Sequence, residues 1–82
     1  MSPSDAVRAH CVKVYIEPAR AKGSIVKIRA GDVHKALGYK SRMPLVCGAI
    51  GAEKFSEEQG IKRVALEGPL QGANTVLYFK FN

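Results

Sequence analysis

Apolar residues near the amino terminus recur at the spacing of a helix with one buried side. They stand at intervals of four, three and one, which is one stripe on a period of about 3.6 residues: Val7, Cys11, Val14 and Tyr15. Ser4 precedes the stripe and can cap a helix, so the pattern predicts a first helix over Ala6 to Glu17. Pro18 disfavours helical backbone at Glu17, but it can itself begin a further turn that ends at Gly23.

In the following segment apolar residues recur at every second position. Within Ser24 to Arg29, Val26 and Ile28 alternate with two basic residues, which predicts a short strand with one buried face and one cationic face. Gly31 to Gly38 comes next, with Val33 and Leu37 four positions apart and a glycine placed to end the element. This segment predicts a short second helix of two turns.

A third helix is predicted to begin at Ser41, which can act as its cap, and to break near Gly51. Val46 and Ile50 lie four positions apart and mark its buried side. The residues on the opposite face carry no hydrogen-bonding side chain: Pro44, Gly48 and Gly51. This helix therefore offers little with which to read the edges of bases.

The carboxyl-terminal part predicts a hairpin. Ile61 to Glu67 and Thr75 to Phe81 have strand composition, and the loop between them is rich in turn formers. Phe79 and Phe81 share one face of the second strand and are expected to close the core, with Tyr78 on the other face.

The predicted order is helix, strand, helix, helix, strand, strand, and the fold class is α+β. This order resembles that of the winged-helix family, in which the closing hairpin forms the wing, and the resemblance spans nearly all of the chain. A narrower resemblance links the chain to a small uncharacterised prokaryotic family and brings no activity with it. It rests on these residues: Tyr15 to Arg20, Ile28 to Lys35, Pro44 with Val46 and Cys47, and Gly68 with Pro69.

Length limits the number of domains, and charge indicates the kind of partner. A chain of 82 residues has room for one core, so a single domain over residues 1–82 is expected, with residues 1–4 flexible. Nine of the 13 basic residues but only three of the seven acids precede Met43, so the whole net charge of +6 belongs to the first 42 residues. Such a regional excess favours a polyanionic partner.

The winged-helix resemblance implies that the third helix approaches the major groove of DNA and that the wing contacts the backbone. Because the exposed face of that helix cannot read bases, we expect double-stranded DNA to be bound mainly through its phosphates, with weak sequence specificity. The expected nucleic-acid-binding residues are Arg29, Lys35, Tyr39, Lys40, Ser41, Arg42, Gln71 and Asn74.

Other interpretations stay open. The small and apolar residues of the third helix, with Leu45, Ala49 and Ala52 expected to be partly exposed, also suit a homodimer or a protein partner without DNA binding. The basic residues alternatively serve only as a solvated surface. Exposed aromatic residues on the last strand leave single-stranded nucleic acid as a lesser alternative.

The remaining chemistry argues for a binding protein and against an enzyme. No serine stands on a glycine elbow, neither cysteine has a histidine arrangement that the sequence establishes, and Asp32 has no second carboxylate at a catalytic spacing. The Gly-x-x-x-x-Gly-Lys phosphate-binding motif is also absent, so neither catalysis nor a cofactor is expected. Metal binding is not expected either, because the four candidate ligands lack paired spacing: His10, Cys11, His34 and Cys47. Both cysteines are expected as free thiols, and the absence of a long apolar segment predicts a cytoplasmic protein, at the nucleoid if it binds DNA.

Overall fold

The computed structural model describes residues 2–68 and 72–82. The elements follow the predicted order, with one additional helix before the hairpin. They are α1 (Pro3–Cys11), a π-helical segment (Val12–Ile16), α2 (Glu17–Lys22), β1 (Val26–Arg29), α3 (Ala30–Ala36), α4 (Met43–Gly51), α5 (Glu53–Gln59), β2 (Ile61–Glu67) and β3 (Val76–Phe81). The α+β class is therefore confirmed.

The first helix begins earlier than predicted, because Ser2 is its cap. The Ser2 hydroxyl accepts a hydrogen bond from the Asp5 amide at 3.2 Å, and the Asp5 carboxylate accepts one from the Ser2 amide at 3.3 Å. These two bonds lower the pKa of Asp5. The prediction that Ser4 caps a helix from Ala6 is wrong, and Ser2 to Ser4, expected to be flexible, form the cap and first turn.

The π-helical segment moves the buried stripe of this helix. A π turn holds about one residue more than an α turn, so the position facing the core after Cys11 comes five residues later, at Ile16. Ile16 is fully buried, whereas Val14, predicted on the buried stripe, is 46% exposed. Tyr15 is half-buried and only borders the core.

The same wide turn lets the helix continue past Pro18. In a regular α-helix the proline ring collides with the carbonyl four residues earlier. Here the amide of Glu17 donates to the carbonyl of Val12, five residues back, and Pro18 then occupies the first turn of α2. Gly23, with φ of 69°, ends α2 as the sequence pattern indicated.

The three strands form an antiparallel sheet in the order β1-β3-β2, so β3 is central. Val26 pairs with Phe79 and Ile28 with Leu77, and all four side chains are buried beneath the helices. The alternation predicted for β1 is confirmed. The opposite face is solvent-exposed on β1 and β2 and partly exposed on β3, and we call it the open sheet face.

The buried side of α4 agrees with the prediction for Val46 and Ile50, which are both fully buried. Ala49 was expected to be partly exposed but is 2% exposed, because it lies one residue from Ile50 on a stripe wide enough to bury both. Ala52 has extended backbone with ψ of 129° and separates α4 from α5, which confirms the predicted break near Gly51.

The start of α3 is tied to the end of the hairpin loop. The amide of Ala30 donates to the carbonyl of Thr75 at 2.9 Å, and the amide of Gly31 donates to the carbonyl of Ala73 at 3.1 Å. A side chain at position 31 would place its Cβ 2.5 Å from the Ala73 oxygen, so only glycine permits this approach. Among residues 2–68 and 72–82 no helix has the length and apolarity needed to cross a bilayer.

Candidate nucleic-acid interface

Four of the predicted site residues lie in the segment that joins α3 to α4. Gly38, with φ of 69°, turns the chain after α3, and residues 39–42 lead into Met43 at the start of α4. We call this segment, together with the last turn of α3, the α3–α4 corner. It contains Lys35, Tyr39, Lys40, Ser41 and Arg42.

His34 holds the α3–α4 corner together. Its Nε2 accepts a hydrogen bond from the backbone amide of Arg42 at 3.1 Å, and its ring meets that of Tyr39 edge to face with centroids 6.2 Å apart. No sequence pattern selects His34 for this role. Its role depends on a contact across eight residues, and no periodicity reveals such a contact.

Ser41 does not cap α4, contrary to the prediction. Its backbone has φ of 54°, a left-handed conformation that a residue other than glycine adopts rarely. Arg42 occupies the cap position, and no side chain caps the helix there. Ser41 therefore contributes a tight turn that brings Arg42 back beneath His34.

The basic side chains of the α3–α4 corner are available to an anion. Lys35, Lys40 and Arg42 are all exposed. In the part of the chain that the structure describes, none of the three has an ion-pair partner. The α3–α4 corner therefore carries three uncompensated positive charges within eight residues of sequence.

Arg29 and Asn74 form a second cluster at the other end of α3. The Arg29 guanidinium donates to the Asp32 carboxylate at 3.1 Å and to the Asn74 side-chain oxygen at 2.6 Å. Asp32 therefore compensates the charge of Arg29, although an exposed pair of this kind adds less than about 1 kcal/mol to stability. Since α3 has seven residues, it separates the two clusters by about 10 Å.

Gln71, the remaining predicted site residue, lies outside the described residues. The rest of the early basic excess does not all converge on the α3–α4 corner. Arg8 donates to the carbonyl of Ala49 at 3.2 Å. Arg20 donates to the carbonyl of Gln59 at 2.8 Å and lies over the Phe81 ring, 4.9 Å from its centroid. These two arginines join helices to the rest of the fold and lie outside the α3–α4 corner.

Arg63 adds a cation that the sequence interpretation missed. The exposed face of α4 itself carries no hydrogen-bonding group at Gly48 and Gly51, as predicted. Arg63 of β2 reaches this face, and its Nη1 lies 3.8 Å from the position that a Cβ on Gly51 would take. A shallow hollow of about 230 Å³ separates α4 from β2 beside this guanidinium. A guanidinium donates in a planar fork that matches phosphate and base edges alike.

The two cysteines are free thiols with different environments. Cys11 is fully buried, and burial raises its pKa to about 12. Cys47 is half-buried beside the hollow; burial raises its pKa, and a hydrogen bond with Thr75 partly opposes the increase. Within the described residues no three His, Cys, Asp or Glu side chains come together as a metal site.

The thiols provide a direct check of the packing. At pH 8 we expect an aromatic disulfide reagent to modify Cys47 slowly and Cys11 only after unfolding, because the buried thiol stays protonated. The unfolded chain loses the Cys11 proton near pH 9, whereas the folded protein keeps it until about pH 12. The free energy of unfolding should therefore fall as the pH rises from about 9 towards 12. Rapid modification of both thiols in native buffer would contradict the packing of α1.

No protein family, curated protein or solved structure matched this chain when its sequence and fold were compared with them. The winged-helix resemblance and the narrower prokaryotic resemblance therefore stay predictions.

Proposed function

We propose that this protein binds double-stranded DNA through its phosphates, with weak sequence specificity, as a domain of winged-helix type. The observation that carries the proposal is the α3–α4 corner, where Lys35, Lys40 and Arg42 are exposed and uncompensated among the described residues. Contacts between such side chains and phosphates release counterions from DNA and do not depend on sequence.

The arrangement of elements supports the winged-helix part of the proposal. The chain has the order helix, strand, helix, helix, strand, strand with α5 added before β2, and β2 and β3 form a closing hairpin. The end of that hairpin's loop lies against the start of α3 through Gly31 and Ala73. In this interpretation α4 approaches the groove, and its small residues Gly48 and Gly51 permit close contact with the DNA backbone.

Arg63 refines the expected specificity. The outer face of α4 has no polar side chain of its own, so any contact with a base edge beside Gly51 would come from this residue of β2. One arginine supplies far less discrimination than the three or four side chains of a sequence-specific reader. The proposal therefore keeps weak specificity and adds Arg63 to the binding residues.

Replacing Lys40 and Arg42 together with alanine tests this proposal. Each phosphate contact contributes about 0.9 to the slope of log K against log salt, so we expect the slope to fall by about 2 and the affinity at about 0.1 M salt to fall roughly 10- to 100-fold. The measurement is fluorescence anisotropy with two unrelated duplexes over a salt series. Both duplexes should lose affinity equally.

The matched control changes two exposed lysines elsewhere, Lys13 and Lys54, to alanine. This variant has the same net charge as the test variant, so general attraction is reduced equally in both. If the two variants bind duplex DNA with the same slope and affinity, the α3–α4 corner is not the binding site.

A protein–protein module is the second candidate. Leu66 is 40% exposed on β2 and lines the hollow with Gly48 and Gly51, so a homodimer or another protein could cover this surface through α4. Sedimentation with and without DNA separates the candidates. A self-associating protein that stays unchanged when duplex is added would favour this candidate over DNA binding.

A further inference from the structure

The open sheet face displays one aromatic ring among basic side chains. Paired residues of antiparallel strands point to the same face, so the register places Lys27 beside Tyr78 and Tyr78 beside Ala65 in one row. Lys62 and Lys80 form the next row. On the other side of Tyr78, the third row contains Arg29, Val76 and Glu67.

The open sheet face is strongly positively charged. Its four basic residues are Lys27, Arg29, Lys62 and Lys80, and its one acid is Glu67. The Glu67 carboxylate accepts a hydrogen bond from the Tyr78 hydroxyl. Within the described part of the chain the three lysines have no ion-pair partner, and Arg29 alone is compensated, by Asp32. A negatively charged partner complements this surface.

Tyr78 makes the surface more specific than a basic patch. It is partly exposed, and the Lys27 ammonium lies 5.9 Å from its ring centroid. The hydrogen bond with Glu67 fixes the hydroxyl end of the ring and raises the pKa of Tyr78. A ring held in place loses little rotational freedom when a planar group stacks on it.

The spacing of these groups suits a strand of nucleotides. Residues two apart on one strand lie about 7 Å apart, and neighbouring strands are separated by about 5 Å. Lysine side chains are long enough to reach phosphates on either side of a base that rests on Tyr78. In a duplex the flat faces of the bases are stacked on each other, so only an unpaired strand can offer one to the tyrosine.

We infer that the open sheet face binds single-stranded DNA, with a base stacked on Tyr78 and phosphates held by Lys27, Lys62 and Lys80. Only the choice of DNA over RNA rests on the proposed function. The site shares no residue with the α3–α4 corner, so each can be changed without replacing a residue of the other.

Changing Tyr78 to leucine tests the stacking. We expect the affinity for a labelled oligothymidylate of about 12 nucleotides to fall roughly 5- to 150-fold, and duplex affinity to stay unchanged. Tyr78→Phe keeps the ring and loses only the bond to Glu67, so it should bind within about threefold of the original protein. Tyr39→Leu, the matched change in the α3–α4 corner, should leave oligothymidylate binding unaffected. Equal affinity of a folded Tyr78→Leu protein would overturn the inference.

A second variant avoids any effect on folding, because Lys27, Lys62 and Lys80 are all exposed. With the three lysines changed to glutamine, the salt slope for oligothymidylate should decrease by about 2, at about 0.7 for each lost contact. An unchanged slope rejects the phosphate contacts. If polyglutamate competes as well as oligothymidylate, stacking on Tyr78 is rejected. If oligouridylate binds at least tenfold more tightly than oligothymidylate, DNA is rejected as the ligand.

These variants distinguish a failure of the proposed duplex binding from a failure of the proposed single-strand binding. Loss of duplex binding in the Lys40 and Arg42 variant, with oligothymidylate binding retained, supports both sites. Loss of both activities in that variant, with the lysine-to-glutamine variant unaffected, places all binding at the α3–α4 corner and overturns the inference about the sheet.

Discussion

Phe79→Ala is expected to lower the free energy of unfolding by about 3–5 kcal/mol. Phe79 is fully buried on the central strand, where it pairs with Val26 on one side and with Arg63 on the other. Removing its ring leaves a cavity between sheet and helices that the short strands cannot close. Small domains have about 5–15 kcal/mol of stability, so the variant should unfold at much lower urea concentration.

Leu66→Ala is the matched control for this loss, because Leu66 is also on the sheet but is 40% exposed. We expect it to cost about 1 kcal/mol or less. Equilibrium urea unfolding followed by circular dichroism measures both variants. A loss at Phe79 no greater than that at Leu66 would mean that the core is not centred on β3.

Gly31→Ala and Gly48→Ala are expected to change stability in opposite directions. The new methyl at position 31 would lie 2.5 Å from the Ala73 carbonyl oxygen, so α3 and the loop must separate, at about 1–3 kcal/mol. The methyl at position 48 has no atom within 4 Å, and alanine favours the helix by about 1 kcal/mol. Both glycines lie in helices, so the gain from alanine is shared and the two variants should differ by the strain alone, about 1–3 kcal/mol.

This pair controls for the unfolded chain, since both changes remove the same backbone freedom from it. Each kcal/mol moves the thermal midpoint of a domain of this size by about 4–8 °C, so calorimetry resolves the difference. Gly31→Ala should also weaken the Arg29–Asn74 contact, whose loop it displaces. If both variants gain stability, the contact of α3 with the hairpin loop is wrong.

Local sequence patterns were sufficient for most elements. The alternation in β1, the break after Gly51 and the bounds of β2 follow from spacing, glycine positions and strand composition, all of which act over a few residues. The first helix shows the limit of such patterns. Val14 fits a 3.6-residue stripe, but the π turn shifts the register and buries Ile16 instead.

The candidate binding surface was less predictable than the fold. Sequence alone selected Lys35, Lys40 and Arg42, because charge and exposure need no tertiary contact to be recognised. It assigned Ser41 as a cap, although tertiary packing gives that residue a left-handed backbone conformation. It missed Arg63, because α4 and β2 are brought together only by the folded sheet.

The sequence by itself determined the α+β class, the order of elements apart from α5, the buried sides of β1 and α4, and the basic charge of the first half. These properties depend on neighbours within one or two turns of the chain, so period and composition encode them. Only the tertiary structure decided which basic side chains contact distant parts of the protein. It commits Arg8 and Arg20 to backbone carbonyls and joins Arg29 to Asn74. These contacts join residues 39 to 45 positions apart, and their geometry exists only once the helices have packed on the sheet.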